Sequence, residues 1–120
     1  MKRLISGILI AAAALVFANA TTQASETTMT ADELRTALVG KTLPGKNARG
    51  KSFKATIKEN GRMEISIGVK TFNASWEIMA DGVWCREISG KRECAPVKRD
   101  GNTIIFHKAN GKISSTVTLN

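Results

Sequence analysis

Five residues of this 120-residue chain could do recognition chemistry together: Trp76, Trp84, Arg86, Glu93 and His107. Arg86 is a charged residue set in an otherwise apolar strand pattern. A guanidinium beside indoles suits an anion with an apolar or aromatic body. Arg86 would supply the charge, Trp76 and Trp84 the stacking surface, and the His107 imidazole a second donor. The competing reading is a strand-end salt bridge between Arg86 and Glu93, with the arginine stem lying on Trp76 and its head in water. The same residues make a poor active site. His107, the one histidine, would need a nucleophile and an orienting group, and the nearby Ser114 and Ser115 read as ordinary strand residues. The carboxylates form no close pair, and the glycines sit in turns rather than in a phosphate loop. Two cysteines and one histidine are an incomplete metal set. No enzyme activity, metal or cofactor is expected.

The elements that would position these residues are announced by four tetrapeptides: Glu59-Asn60-Gly61-Arg62, Ala80-Asp81-Gly82-Val83, Arg99-Asp100-Gly101-Asn102 and Ala109-Asn110-Gly111-Lys112. Each sets Asn-Gly or Asp-Gly between two strand-forming runs, a strong hairpin signal, because Asn, Asp and Gly tolerate the left-handed backbone region. About seven strands follow, over 51–58, 62–68, 71–79, 83–88, 91–98, 103–108 and 112–119. The fold class is mainly β: an antiparallel meander forming a curved sheet or small barrel. One short helix is predicted at about Ala31 to Val39. It is opened by the capping box Thr30-Ala31-Asp32-Glu33 and closed by Gly40. The stretch from Leu43-Pro44-Gly45 to Gly50 reads as a basic, turn-rich connection.

Pairing rules then set the registers. A three-residue loop at Glu59-Asn60-Gly61 pairs Ile57 with Met63, Ala55 with Ile65 and Phe53 with Ile67, leaving one face apolar and one polar. The same loop at Ala80-Asp81-Gly82 pairs Ile78 with Trp84 and Trp76 with Arg86. A two-residue loop at Ser89-Gly90 sets Arg86 opposite Glu93, Glu87 opposite Arg92 and Cys85 opposite Cys94. Two cysteines in an exported chain predict a disulfide between Cys85 and Cys94. A three-residue loop at Arg99-Asp100-Gly101 would bring His107 opposite Glu93 and complete the row; a two-residue loop would remove it. Ile104-Ile105-Phe106 puts apolar groups on both faces, so pattern does not choose between them.

Export is read from the first 20 residues. Lys2 and Arg3 precede an apolar run from Leu4 to Ala18, and Ala18-Asn19-Ala20 has the form of a cleavage site. The domains are then a signal peptide over 1–20, a flexible N-terminus over 21–29 and one β-rich domain over 30–120, with no transmembrane segment after cleavage. Loss of Lys2 and Arg3 from a formal charge of +8 leaves +6. Basic residues gather at Lys41, Lys46, Arg49, Lys51 and Lys54, and again at Lys91, Arg92, Lys98 and Arg99. Such a balance attracts an anionic small molecule or an acidic envelope polymer. Nucleic acid is not expected: the chain is exported and has few aromatics for base stacking.

Leu38-Val39-Gly40-Lys41-Thr42, Gly50-Lys51-Ser52-Phe53, Glu59-Asn60-Gly61-Arg62, Trp76-Glu77-Ile78, Asp81-Gly82-Val83-Trp84-Cys85 and Cys94 together form a recurring frame. It resembles the small exported proteins of alphaproteobacteria grouped as domains of unknown function, over roughly Leu38 to Gly111. The resemblance implies a periplasmic or secreted β-domain and brings no catalytic residues. The expected function is an exported, non-enzymatic binding domain for a small or anionic ligand. The alternative is a protein-interaction module, such as a hydrolase inhibitor or an envelope-stress factor, working through its hairpin tips.

Overall fold

The computed structural model describes residues 26–120. The signal peptide and cleavage site read in residues 1–20 lie outside the described residues. One antiparallel sheet carries ten strands. In chain order the elements are β1 (Glu26–Thr28), α1 (Ala31–Leu38), β2 (Lys41–Asn47), β3 (Ser52–Ile57), β4 (Arg62–Ile67), β5 (Lys70–Ile78), β6 (Val83–Ile88), β7 (Lys91–Pro96), β8 (Lys98–Asp100), β9 (Thr103–His107) and β10 (Ile113–Thr118). Across the sheet they run β1-β8-β9-β10-β2-β3-β4-β5-β6-β7.

The Asx-Gly turns at 59–61 and 80–82 form as predicted, and the turn at 109–111 shares their chemistry. Asn60, Asp81 and Asn110 each accept, through Oδ1, the N–H two residues on, from Arg62, Val83 and Lys112. The glycine that follows each has a φ of +86° to +90°, the left-handed conformation that only glycine enters without a Cβ clash. The resulting ladders match the predicted pairs Ile57–Met63, Trp76–Arg86 and Ile78–Trp84. The Ser89-Gly90 turn pairs Cys85 with Cys94 and Arg86 with Glu93. Cys85 and Cys94 are disulfide-bonded with Cα atoms 4.0 Å apart. Such a bond fits an oxidising, non-cytoplasmic compartment. No helix among the described residues is long and apolar enough to cross a membrane.

Three expectations are corrected, and one open alternative is settled. First, Lys41–Asn47 is a strand, not a connection; it pairs with β3 along most of its length and with β10 from Gly45 onward. Pro44 lies one residue outside the β10 pairing, where β2 is an edge and its missing N–H is tolerated. Secondly, Glu26–Thr28 is ordered by pairing with β8, and Met29 is buried and donates its N–H to Val97 O at 2.9 Å. Thirdly, the strand predicted over 91–98 breaks at Val97: β7 pairs with β6, whereas β8 pairs with β9 and β1. Of the two loop lengths left open at Asp100-Gly101, the β8–β9 turn takes the two-residue one. Asp100 faces Thr103 across Gly101-Asn102, and the φ of +60° at Gly101 is that of a turn with glycine at its first central position.

The sheet curls without closing its ladder. The chain itself spans the gap: β7, at one edge, runs through Val97 into β8, the strand next to the β1 edge. Alternate residues face the hollow side: Ala55 and Ile57, Met63, Trp84, Ala95, Ile104, Phe106, Ser115 and Val117 are buried there. Helix α1 plugs one end. Its capping box is complete, with Thr30 Oγ1 accepting from Glu33 N and Glu33 Oε1 accepting from Thr30 N. Leu34 and Leu38 are fully buried in the core beside Leu43 and Ile57, worth about 1.5–3 kcal/mol each. The turns at 59–61 and 80–82 sit at this plugged end, where Gly40 N donates to Ile57 O and Gly82 packs on Met29 O. The turns at 48–50, 68–69, 89–90 and 109–111 therefore sit at the opposite end, which no helix covers.

Candidate functional site

Beneath the uncovered end the curled sheet encloses a cavity of about 200 Å³. Its wall is drawn from six strands: Phe53, Ala55 and Ile57 of β3, Met63, Ile65 and Ile67 of β4, Trp84 and Arg86 of β6, and Phe106, Ser115 and Val117 of β9 and β10, with Asn47 ending β2. These are the alternating inward positions that the registers predicted for β3, β4 and β6. The wall is apolar except at Asn47, Arg86, Ser114 and Ser115, which gather toward the uncovered end.

Arg86 is the one charged group of the lining. Its Nη2 donates to Ser114 Oγ at 3.1 Å and stands 3.9 Å from Glu93 Oε1. Its side chain is 25% exposed, so the guanidinium bridges the cavity and solvent. On its other side it shares a surface groove with Ile88, Lys91, Glu93 and Lys108. Glu93 is a neighbour of Arg86 rather than a wall residue. Its other oxygen accepts the Ala109 N–H at 3.3 Å, tying β7 to the β9–β10 turn across the gap where the ladder stops.

Ser114 reaches Arg86 because of a β-bulge. Ile113 pairs with His107, yet Ser115 pairs with Phe106, so Ser114 is an extra residue in β10. Bulges re-aim side chains, and here two successive residues, Ser114 and Ser115, both face the cavity. The sequence hides this, because Ile113, Ser115, Val117 and Leu119 alternate as an unbroken strand would. The bulge moves Ile113 off that face, and Ile113 is accordingly 51% exposed.

The predicted row is thus only partly assembled. Trp84 and Arg86 line the cavity. Trp76 stands behind Trp84, stacked at 5.7 Å with its ring plane within 3°. Its Nε1–H is shared between Lys58 O at 2.9 Å and Arg62 O at 3.0 Å, so its polar tip braces the β3–β4 hairpin. Trp84 meets Phe106 at 5.5 Å and 52° on its other side. His107 is not opposite Glu93; it pairs with Ile113, on the face away from Phe106 and the cavity. The two-residue turn at Gly101-Asn102 shifts β9 along β8, and the break at Val97 leaves β7 without a ladder to β9. Glu87 and Arg92 are opposite as predicted, but Arg92 turns diagonally to Glu77 at 2.9 Å. Both partners are about half exposed, so the pair contributes about 0–1 kcal/mol. Sequence reasoning missed Asn47 and the serine pair: the first lay in a segment read as a loop, the second behind the bulge.

No protein-family model, no curated protein and no solved structure matches this chain.

Proposed function

We propose that this is an exported, non-enzymatic binding domain whose cavity takes a small, mainly apolar molecule bearing one anionic group. The supporting observation is the placement of Arg86: a single guanidinium at the outer edge of an otherwise apolar pocket, oriented by Ser114 Oγ at 3.1 Å. Apolar pockets with a few convergent polar groups are the usual form of small-ligand sites. The apolar wall takes the body, and Arg86 takes the anion as it nears solvent. Size limits the choice. A dry apolar cavity of about 150 Å³ accepts a benzene-sized guest, so a single aromatic ring or a short acyl chain fits the 200 Å³ here.

Periplasmic or secreted location is part of this reading, supported by the leader in residues 1–20 and by the disulfide. Native mass spectrometry of the protein purified from its own export compartment, without refolding, is the test. A retained molecule that is apolar and acidic is the expected result. A retained cation or a large polar ligand would count against the assignment.

A further inference from the structure

The folding of the chain sorts its charges in a way the linear sequence does not show. The four turns at the uncovered end, with the residues flanking them, carry Arg49, Lys51, Lys70, Lys91, Lys108 and Lys112, all exposed; the nearest carboxylates are Glu87, before Ile88, and Glu93, which is paired with Arg86 and accepts the Ala109 N–H. At the plugged end the signs are mixed: its turns and α1 carry Asp32, Glu33, Glu59, Asp81 and Asp100 beside Arg35, Lys58, Arg62 and Arg99. The cationic end also holds two misplaced apolar side chains. Val69 is fully exposed on the tip between Gly68 and Lys70, and Ile113, displaced by the bulge, follows Lys112.

We propose that the uncovered end docks on an anionic lipid surface. Apolar side chains fringed by lysines suit an interface where the apolar tips enter the acyl boundary and the ammonium groups stay among the headgroups. A soluble polyanion would satisfy the lysines but give Val69 and Ile113 no role, so lipid is the occupant that accounts for both. Docked this way, the cavity opens toward the membrane, the place from which an apolar acid would be taken up or into which it would be released. The docking itself does not depend on the cavity being occupied.

The test is co-sedimentation of the protein with vesicles of phosphatidylcholine alone and of equimolar phosphatidylcholine and phosphatidylglycerol. Binding to the anionic vesicles only, weakening with added salt, is expected. Each lysine near an anionic surface is worth about fivefold in partition. The triple variant Lys70→Gln, Lys108→Gln, Lys112→Gln should therefore bind on the order of a hundredfold more weakly. Removing the same charge at the other end, with Arg35→Gln, Arg62→Gln and Lys98→Gln, should leave binding as it was. Val69→Ser should cost about tenfold and leave the salt dependence unchanged. Failure of the unaltered protein to bind, equal losses from the two triple variants, or a Val69→Ser protein that binds vesicles like its parent would each overturn the proposal.

Discussion

Replacing Arg86 with Met separates a residue kept for a ligand from one kept for the fold. Methionine retains an unbranched apolar stem, so packing against the wall is largely preserved. The lost interactions are a hydrogen bond to Ser114 and a 3.9 Å approach to Glu93. The ion pair, with side chains 25% and 37% exposed, is screened and worth about 0–1 kcal/mol. Ser114 is only half-buried and its hydroxyl can turn to water, while Glu93 keeps the Ala109 N–H. Against this stands the relief of holding a charge over an apolar cavity. The net change in stability should stay within about 1 kcal/mol. Ligand affinity should respond quite differently. A hydrogen bond to a charged group is worth about 1.5–3 kcal/mol, and the partial exposure of Arg86 favours the lower part of that range. Octanoate and octanol, matched in chain and differing in charge, are suitable probes for calorimetric titration. The parent protein should prefer octanoate by about 10- to 30-fold, and Arg86→Met should erase the preference while still binding octanol. A variant that is strongly destabilised, or that keeps the preference, would refute the assignment of Arg86 to the anion.

Other perturbations test the frame around the site. The Cys85–Cys94 bond spans a sequence separation of 9, so in the loop-entropy treatment Cys85→Ser with Cys94→Ser should cost about 2.6 kcal/mol, read as a lower denaturant midpoint; unchanged midpoints would contradict that treatment. Gly45→Ala should destabilise by about 1–3 kcal/mol, because a Cβ there meets the Thr116 carbonyl and lies 2.6 Å from Phe53 Cζ; a neutral result would show that β2 and β10 yield more freely than their pairing implies. Thr30→Ala should remove about 1 kcal/mol by uncapping α1, with no effect on octanoate affinity, since the helix lies at the far end from Arg86.

The parts of this fold legible in the sequence are those governed by local chemistry. Asn60-Gly61, Asp81-Gly82 and Ser89-Gly90 dictate their turns within a few residues, and each turn sets the register of two strands. The Trp76–Arg86–Glu93 alignment and the Cys85–Cys94 pair follow from those turns alone. What was hidden depends on distant neighbours. Pro44 and Gly45 mark a turn by composition, yet Gly45 is required because the Phe53 ring and the β10 backbone close over it. Gly101 supports either a two- or a three-residue loop, and Ile104-Ile105-Phe106, buried on both faces, offers no pattern to decide. The place of His107 is undecided in the sequence for that reason. The bulge at Ser114 left no trace in the alternation around it, although it supplies the partner of Arg86.

The central claim is that the cavity under the uncovered end, edged by Arg86, is where a small apolar anion binds. Heteronuclear NMR titration with octanoate tests it most directly. Saturable shifts concentrated at Phe53, Ile65, Trp84, Arg86, Phe106 and Ser114, with the α1 amides still, are the predicted result. Shifts confined to the outer lysines, or spread evenly without saturation, would contradict it.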